Sequence, residues 1–153
     1  MSEVANECKV PVRLSEIEGL PDGMGLFTSM VLLNDKPSLV YYDRLRRHLR
    51  GATARFGSTA AVSLGFETQV VDCRPLEDVG QHAELELTPD GQVGIAYQGQ
   101  AGQTLLYYQG AALTGGEVET VDDGLREHRV HLVGASASLA FTANNQPYIA
   151  YQD

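Results

Sequence analysis

Tryptophan is absent from this chain, and cysteine occurs only as Cys8 and Cys73. Two cysteines make no disulfide framework, and without a CxxC pair or a cysteine–histidine cluster they suggest no structural metal, so free thiols are expected. No apolar run approaches the roughly 20 residues a spanning helix needs, and no membrane association is expected. The first residues, Met1 to Cys8, carry neither the basic nor the apolar stretch of a secretory signal, which points to a cytoplasmic protein. Basic residues are few: 11 Lys and Arg stand against 20 Asp and Glu, for a net charge of −9. That balance argues against general nucleic-acid binding, which needs a basic footprint. No nucleophile elbow, phosphate loop, HExxH or dinucleotide fingerprint occurs, so neither an enzyme nor a cofactor is expected.

What the chain does have is one pattern used three times. The copies open at Gly25, Gly80 and Gly134, 55 and 54 residues apart, a period typical of solenoids, propellers and arrays. Copy two shows the logic. Glu84, Leu85, Glu86 and Leu87 alternate with the period of a half-buried strand. Thr88, Pro89, Asp90 and Gly91 form a turn, and Val93 to Tyr97 is apolar enough for a strand buried on both faces. The same hairpin recurs as Met30–Leu33, a turn at 34–37 and Leu39–Tyr41, and again as Ser138–Phe141, a turn at 143–146 and Tyr148–Tyr151. Two more strands follow each complete hairpin, at 47–52 and 67–72, then at 104–108 and 117–122. Small residues inside the hairpins, Gly94, Ala96, Ala140 and Ala150, suit places where backbones come close.

Four short antiparallel strands in about 55 residues are what a β-propeller blade looks like in sequence. Ser138-Leu139, Pro147, Ile149-Ala150-Tyr151 and Asp153 stand in an order that resembles the blade repeat of bacterial β-propeller repeat proteins. Copies one and two match more loosely, with Val93 for the proline and Gly99 for the aspartate. The resemblance runs from Gly25 onward. It implies an all-β propeller fold and leaves function open, because such blades serve as binding scaffolds of many kinds.

Copy three stops after its second strand. The segment 9–18 alternates like a strand, and Ile17-Glu18 precedes Gly25 much as Val71-Asp72 precedes Gly80 and Val121-Asp122 precedes Gly134. Residues 9–18 therefore read as the outer strand of a composite blade, with Glu3–Cys8 able to supply the strand before it. One domain over 1–153 is expected, with repeats 25–79, 80–133, and 134–153 joined by 3–24. That makes about three blades, too few for a ring, so a six-bladed homodimer closed through the terminal strands is the leading expectation. A partner protein supplying further blades, and a β-sandwich, are the alternatives.

Candidate binding residues fall in two groups. Arg44, Arg46, Arg47 and Arg50 form a basic cluster after the second strand, which reads as a solvated edge or as a docking patch for an acidic protein partner. Tyr42, Asp43, Tyr108, Tyr148 and Asp153 would serve a lectin-like, glycan- or small-ligand-binding alternative. The recurring Tyr41, Tyr97 and Tyr151 read as core or interface residues, and Asp72 and Asp122 as turn caps. His128 and His131 read as surface or hairpin residues rather than as a metal pair. The expected function is a non-catalytic propeller scaffold that binds a protein partner.

Overall fold

The computed structural model describes residues 24–56 and 63–153. The expected strands at 3–8 and 9–18, and Cys8, lie outside the described residues. The fold is all-β, and every strand pairing in it is antiparallel. Sheet one is a meander of β1 (Met24–Leu33), β2 (Lys36–Asp43), β3 (His48–Phe56) and β4 (Ser63–Asp72). Sheet two repeats it with β5 (Gln81–Leu87), β6 (Val93–Gly99), β7 (Thr104–Gly110) and β8 (Glu117–Asp122), a 3-10 turn at Gln100–Gly102 joining its middle strands. A small hairpin, β9 (Leu125–Arg126) and β10 (Arg129–Val130), precedes the terminal pair β11 (Ala135–Phe141) and β12 (Pro147–Gln152). Among the described residues no sheet closes on itself, and no helix is long and apolar enough to cross a membrane.

The repeat is written in the backbone as well as in the side chains. Gly25, Gly80 and Gly134 have φ of +83°, +107° and +83°, and the residues two further on, Phe27, His82 and Ser136, have +52°, +50° and +50°. Each such pair falls where the first strand slips register against the second, so each hairpin opens on the same bulge. The hairpin loops of copies two and three also match. The backbone N–H groups of Thr88 and Thr142 donate to the carbonyls of Gln92 and Gln146, and the two threonine hydroxyls accept the N–H of those same glutamines. Copy one has a shorter loop than the expected 34–37. Asn34 and Asp35, both at positive φ, suffice for a two-residue turn, and Pro37 already pairs with Leu32.

Two sequence expectations change here. The β9–β10 hairpin adds two strands that the four-strand repeat did not include; its two-residue turn consists of Glu127 and the exposed His128, both at positive φ. Cys73 is disulfide-bonded rather than a free thiol. A disulfide requires only that the fold bring two Cβ atoms within about 4 Å, which spacing along the chain does not reveal.

Packing follows from the alternation of each strand. Val31, Leu33, Val40 and Leu49 of sheet one meet Leu85, Val93, Ile95, Tyr97, Leu106 and Tyr108 of sheet two in one core. Every residue of β6 is buried, because its other face is covered too: Ala96 and Tyr107 pack against Leu139, with Phe141 and Ile149 beside them. Gly94 leaves room for this, since a Cβ there would lie 2.4 Å from the Phe141 ring. The far face of sheet one thus receives the near face of sheet two, and the far face of sheet two receives the near face of β11–β12. Each fully buried aliphatic side chain stabilises this stack by about 1.5–3 kcal/mol.

Candidate functional site

The two junctions between successive sheets are built from equivalent residues. At the first, the Tyr97 hydroxyl on β6 donates to Asp72 Oδ2 at the end of β4, 2.7 Å away, and Arg74 Nε holds the same oxygen at 3.3 Å. At the second, the Tyr151 hydroxyl on β12 donates to Asp122 Oδ2 at the end of β8, 2.6 Å away, and Arg126 grips that carboxylate with both terminal nitrogens. Burial, and then the charge of Asp72, push the Tyr97 phenol far above its ordinary value. Asp122 is held well below the usual carboxylate range, first by the Arg126 hydrogen bond and then by Tyr151. Both tyrosines lie at the sheet-to-sheet contacts, and Asp122 also caps a turn, its Oδ1 accepting the Gly124 N–H at 2.8 Å, whereas the bonds to Asp72 come from side chains, Tyr97 and Arg74.

Backbone contacts repeat in step. The Val79 N–H donates to the Arg47 carbonyl in the β2–β3 turn, and the Val133 N–H donates to the Gly102 carbonyl in the β6–β7 turn. Gly80 then sits so close to Leu49 that a Cβ would lie 2.7 Å from its Cα, and Gly134 lies equally over Leu105, at 3.1 Å from Cδ1. Only glycine combines that positive φ with that approach at position 80.

All the linkers and second turns collect at one end of the sheets. A cleft of about 490 Å³ opens there, lined by Arg47, Leu76, Glu77, Asp78, Gln100 and Ala101. Arg47, Leu76, Gln100 and Ala101 are all non-glycine residues at positive φ, so the rim of this cleft is an unusual concentration of left-handed backbone. Beside it Phe27 stacks on His82 at 4.3 Å and lies 6.3 Å from the buried Tyr42 ring. The Tyr42 hydroxyl is raised above the ordinary phenol value, first by burial and then by Asp78.

The basic cluster is partly satisfied from within. Asp43, fully buried, accepts the Arg46 N–H at 3.1 Å and its guanidinium at 3.0 Å, and lies 3.8 Å from Arg50. Arg50 also reaches Thr68. Arg44 is exposed, and Arg47 lines the cleft. The residues of the lectin-like reading are not brought together. Tyr42 and Asp43 are buried at the end of β2; Tyr108 is a core residue whose hydroxyl donates to the Ala112 carbonyl and accepts the Gly116 N–H. Tyr148 is exposed on β12, and Asp153 pairs with Arg126 at 3.6 Å and faces His131 at 3.9 Å. Among the described residues no group of His, Cys, Asp and Glu could hold a metal ion. His48 reads from the sequence as a surface or hairpin residue, but it is buried, both its ring nitrogens lack hydrogen-bond partners among the described residues, and burial lowers its pKa against the opposing pull of Asp43.

The fold and these junctions define an all-β repeat protein whose successive sheets are coupled by one recurring set of contacts. No family model, curated protein or solved structure matches the chain.

Proposed function

We propose that this protein is a non-catalytic β-propeller scaffold, that its repeats are blades, and that two copies close a six-bladed ring through their terminal strands. The observation that carries the reading is the recurrence of the whole junction, tyrosine to aspartate to arginine with its valine–glycine plug, at both sheet-to-sheet contacts. A unit that docks the same way twice is an array. The ends are complementary. The near face of sheet one offers Met30 and Leu32, 60% and 61% exposed, while the far face of β11–β12 offers Tyr148, 67% exposed. In a ring each of these faces covers the other and the unpaired strand edges disappear.

The same end of the ring that gathers the turns is the docking surface for a protein partner. Arg44 and Arg47 are the arginines of the cluster not engaged by Asp43; Arg47 lines the cleft together with the exposed Leu76, and Arg44 is exposed in the same β2–β3 turn. An acidic, extended segment of a partner protein fits that combination, with guanidinium forks on its carboxylates. A glycan-binding alternative has Tyr148 as its exposed ring, since Tyr42 and Tyr108 are buried. The disulfide at Cys73 favours work in an oxidising compartment over the cytoplasm expected from the first residues.

The test is titration of a labelled acidic peptide, read by fluorescence anisotropy, against the native chain and Arg44→Glu/Arg47→Glu. Binding that the double substitution abolishes, with the fold intact by circular dichroism, supports the reading. Equal binding by both proteins, or a glycan-array signal with no peptide binding, contradicts it.

A further inference from the structure

One turn of the fold is held from both sides. The Ala101 N–H of the β6–β7 turn donates to the Asp78 carbonyl of the first linker, and the Gly102 carbonyl accepts the Val133 N–H of the second. Gly124 closes on the same turn so tightly that a Cβ there would lie 2.5 Å from the Gln103 carbonyl oxygen. On the first side lies the cleft, with Leu76 in its lining, 86% exposed and at a φ of +65° that aliphatic residues rarely adopt. On the second side stands the β9–β10 hairpin, whose Leu125 and Val130, with Leu132 just after it, are each more than half exposed. We propose that the cleft and this hairpin form one docking surface, and that its partner is an extended acidic protein segment carrying aliphatic side chains beyond its acids.

The hairpin is anchored by its polar side. Leu125 and Val130 pair directly across it and share one face, while Arg126 and Arg129 pair next to them and take the other. Arg126 is tied to Asp122 and Asp153, and His131 faces Asp153. These contacts fix the hairpin to the ends of β8 and β12 and leave its aliphatic side exposed. The repeat does not need it: Asp72 reaches Gly80 in 8 residues with no strand between, whereas Asp122 takes 12 to reach Gly134. Added chain that turns its aliphatic side chains to solvent contributes little core, and exposed apolar groups gathered in this way mark a contact surface.

Charge orients the segment. Arg47 lines the cleft, and the cleft's own acids are engaged, Glu77 by Arg74 at 3.7 Å and Asp78 by Gln81 at 3.4 Å. At the hairpin the exposed Asp123 and Glu127 outnumber Arg129, which keeps further acids away from it. The acids of the segment therefore belong on the cleft side, against the arginines, and its aliphatic side chains on the hairpin side. The inference rests on the cleft as the docking site of an acidic segment, and adds the apolar half of that partner.

Anisotropy of labelled peptides on the full-length chain tests it, with a short Glu-Gly repeat and the same repeat extended by Gly-Leu-Gly-Leu at its N- or its C-terminus. One extended peptide should bind about tenfold more tightly than the acidic one. Val130→Ser/Leu132→Ser should abolish that gain and leave the affinity of the acidic peptide as it was, with the circular dichroism unchanged. If that variant does not fold, Leu125→Ser carries the same comparison. An acidic peptide that binds with no gain from either extension, or a gain that survives the double substitution, overturns the inference and keeps the docking cleft. Binding by none of the peptides, or equal binding of the extended ones to Arg44→Glu/Arg47→Glu, overturns the cleft reading on which it rests. Two further results give the hairpin another occupant and overturn the inference as well. One is co-sedimentation of the native chain with phosphatidylcholine–phosphatidylserine vesicles; the other is a native mass that falls in Val130→Ser/Leu132→Ser.

Discussion

Tyr97 at the first junction and Tyr151 at the second make the same hydrogen bond, yet Tyr97 is sealed from water and Tyr151 is 36% exposed. The difference comes from the tyrosine's own sheet. Tyr97 has β7 beside it, with Leu106 directly across the ladder, whereas among the described residues β12 has only β11 for a neighbour. The recurring residues therefore fix how one sheet docks on the next, and the outer strands decide how well that contact is protected. The terminal hairpin has the first property without the second among the described residues.

The comparison can be broken most severely at Gly80. Its φ of +107° disfavours any side chain, and the atom a Cβ would strike is the Leu49 backbone, which cannot step aside. Gly80→Ala should lower stability by about 3 kcal/mol or more, seen as a shift of the urea midpoint. Gly94→Ala at the second junction meets the Phe141 ring, which can swing outward, so a smaller loss of about 1–2 kcal/mol is expected. Equal losses would mean that the two junctions resist crowding alike.

Removing the hydroxyls sharpens the contrast. Tyr97→Phe leaves Asp72 short of a donor in a covered site and should cost about 1.5–3 kcal/mol. Tyr151→Phe should cost under about 1 kcal/mol because water can replace the lost donor. Thermal unfolding of both variants gives the order, and a reversed order would contradict the burial argument.

Acid should loosen the second junction. The folded state holds the Asp122 pKa below its unfolded value, so this carboxylate adds its full stability above the ordinary pKa of about 4 and loses it as pH falls through the depressed folded value. Asp122→Asn should accordingly flatten the acid limb of a stability–pH curve below pH about 4. An unchanged limb would show that Asp122 is not linked to folding. The smallest effect on the stability of the single chain belongs to Leu32→Glu, within about 0.5 kcal/mol for a side chain exposed there, but it should halve the native mass if that face is covered by a second copy.

Much of this architecture can be read from the residues. Period-two alternation and the Thr-to-Gln turns locate the strands of sheet two, and the spacing of Gly25, Gly80 and Gly134 locates the bulges. The partner residues of those bulges, Phe27, His82 and Ser136, share no side-chain chemistry, because the register slip and not the residue type sets their backbone. Tyr97 and Asp72 are each visible as recurring residues, but their hydrogen bond crosses between sheets and depends on stacking that no local pattern encodes. The arginine cluster is legible as charge. Its partial neutralisation is not, since Asp43 looks like any strand-end acid until β3 folds Arg50 back beside it.

The central claim is that the two ends of the chain complete each other in a second copy. Native mass spectrometry of the full-length protein at micromolar concentration tests it most directly. A species of twice the chain mass, converted to single chains by Leu32→Glu, is the predicted result; a monomer at every concentration would contradict the account.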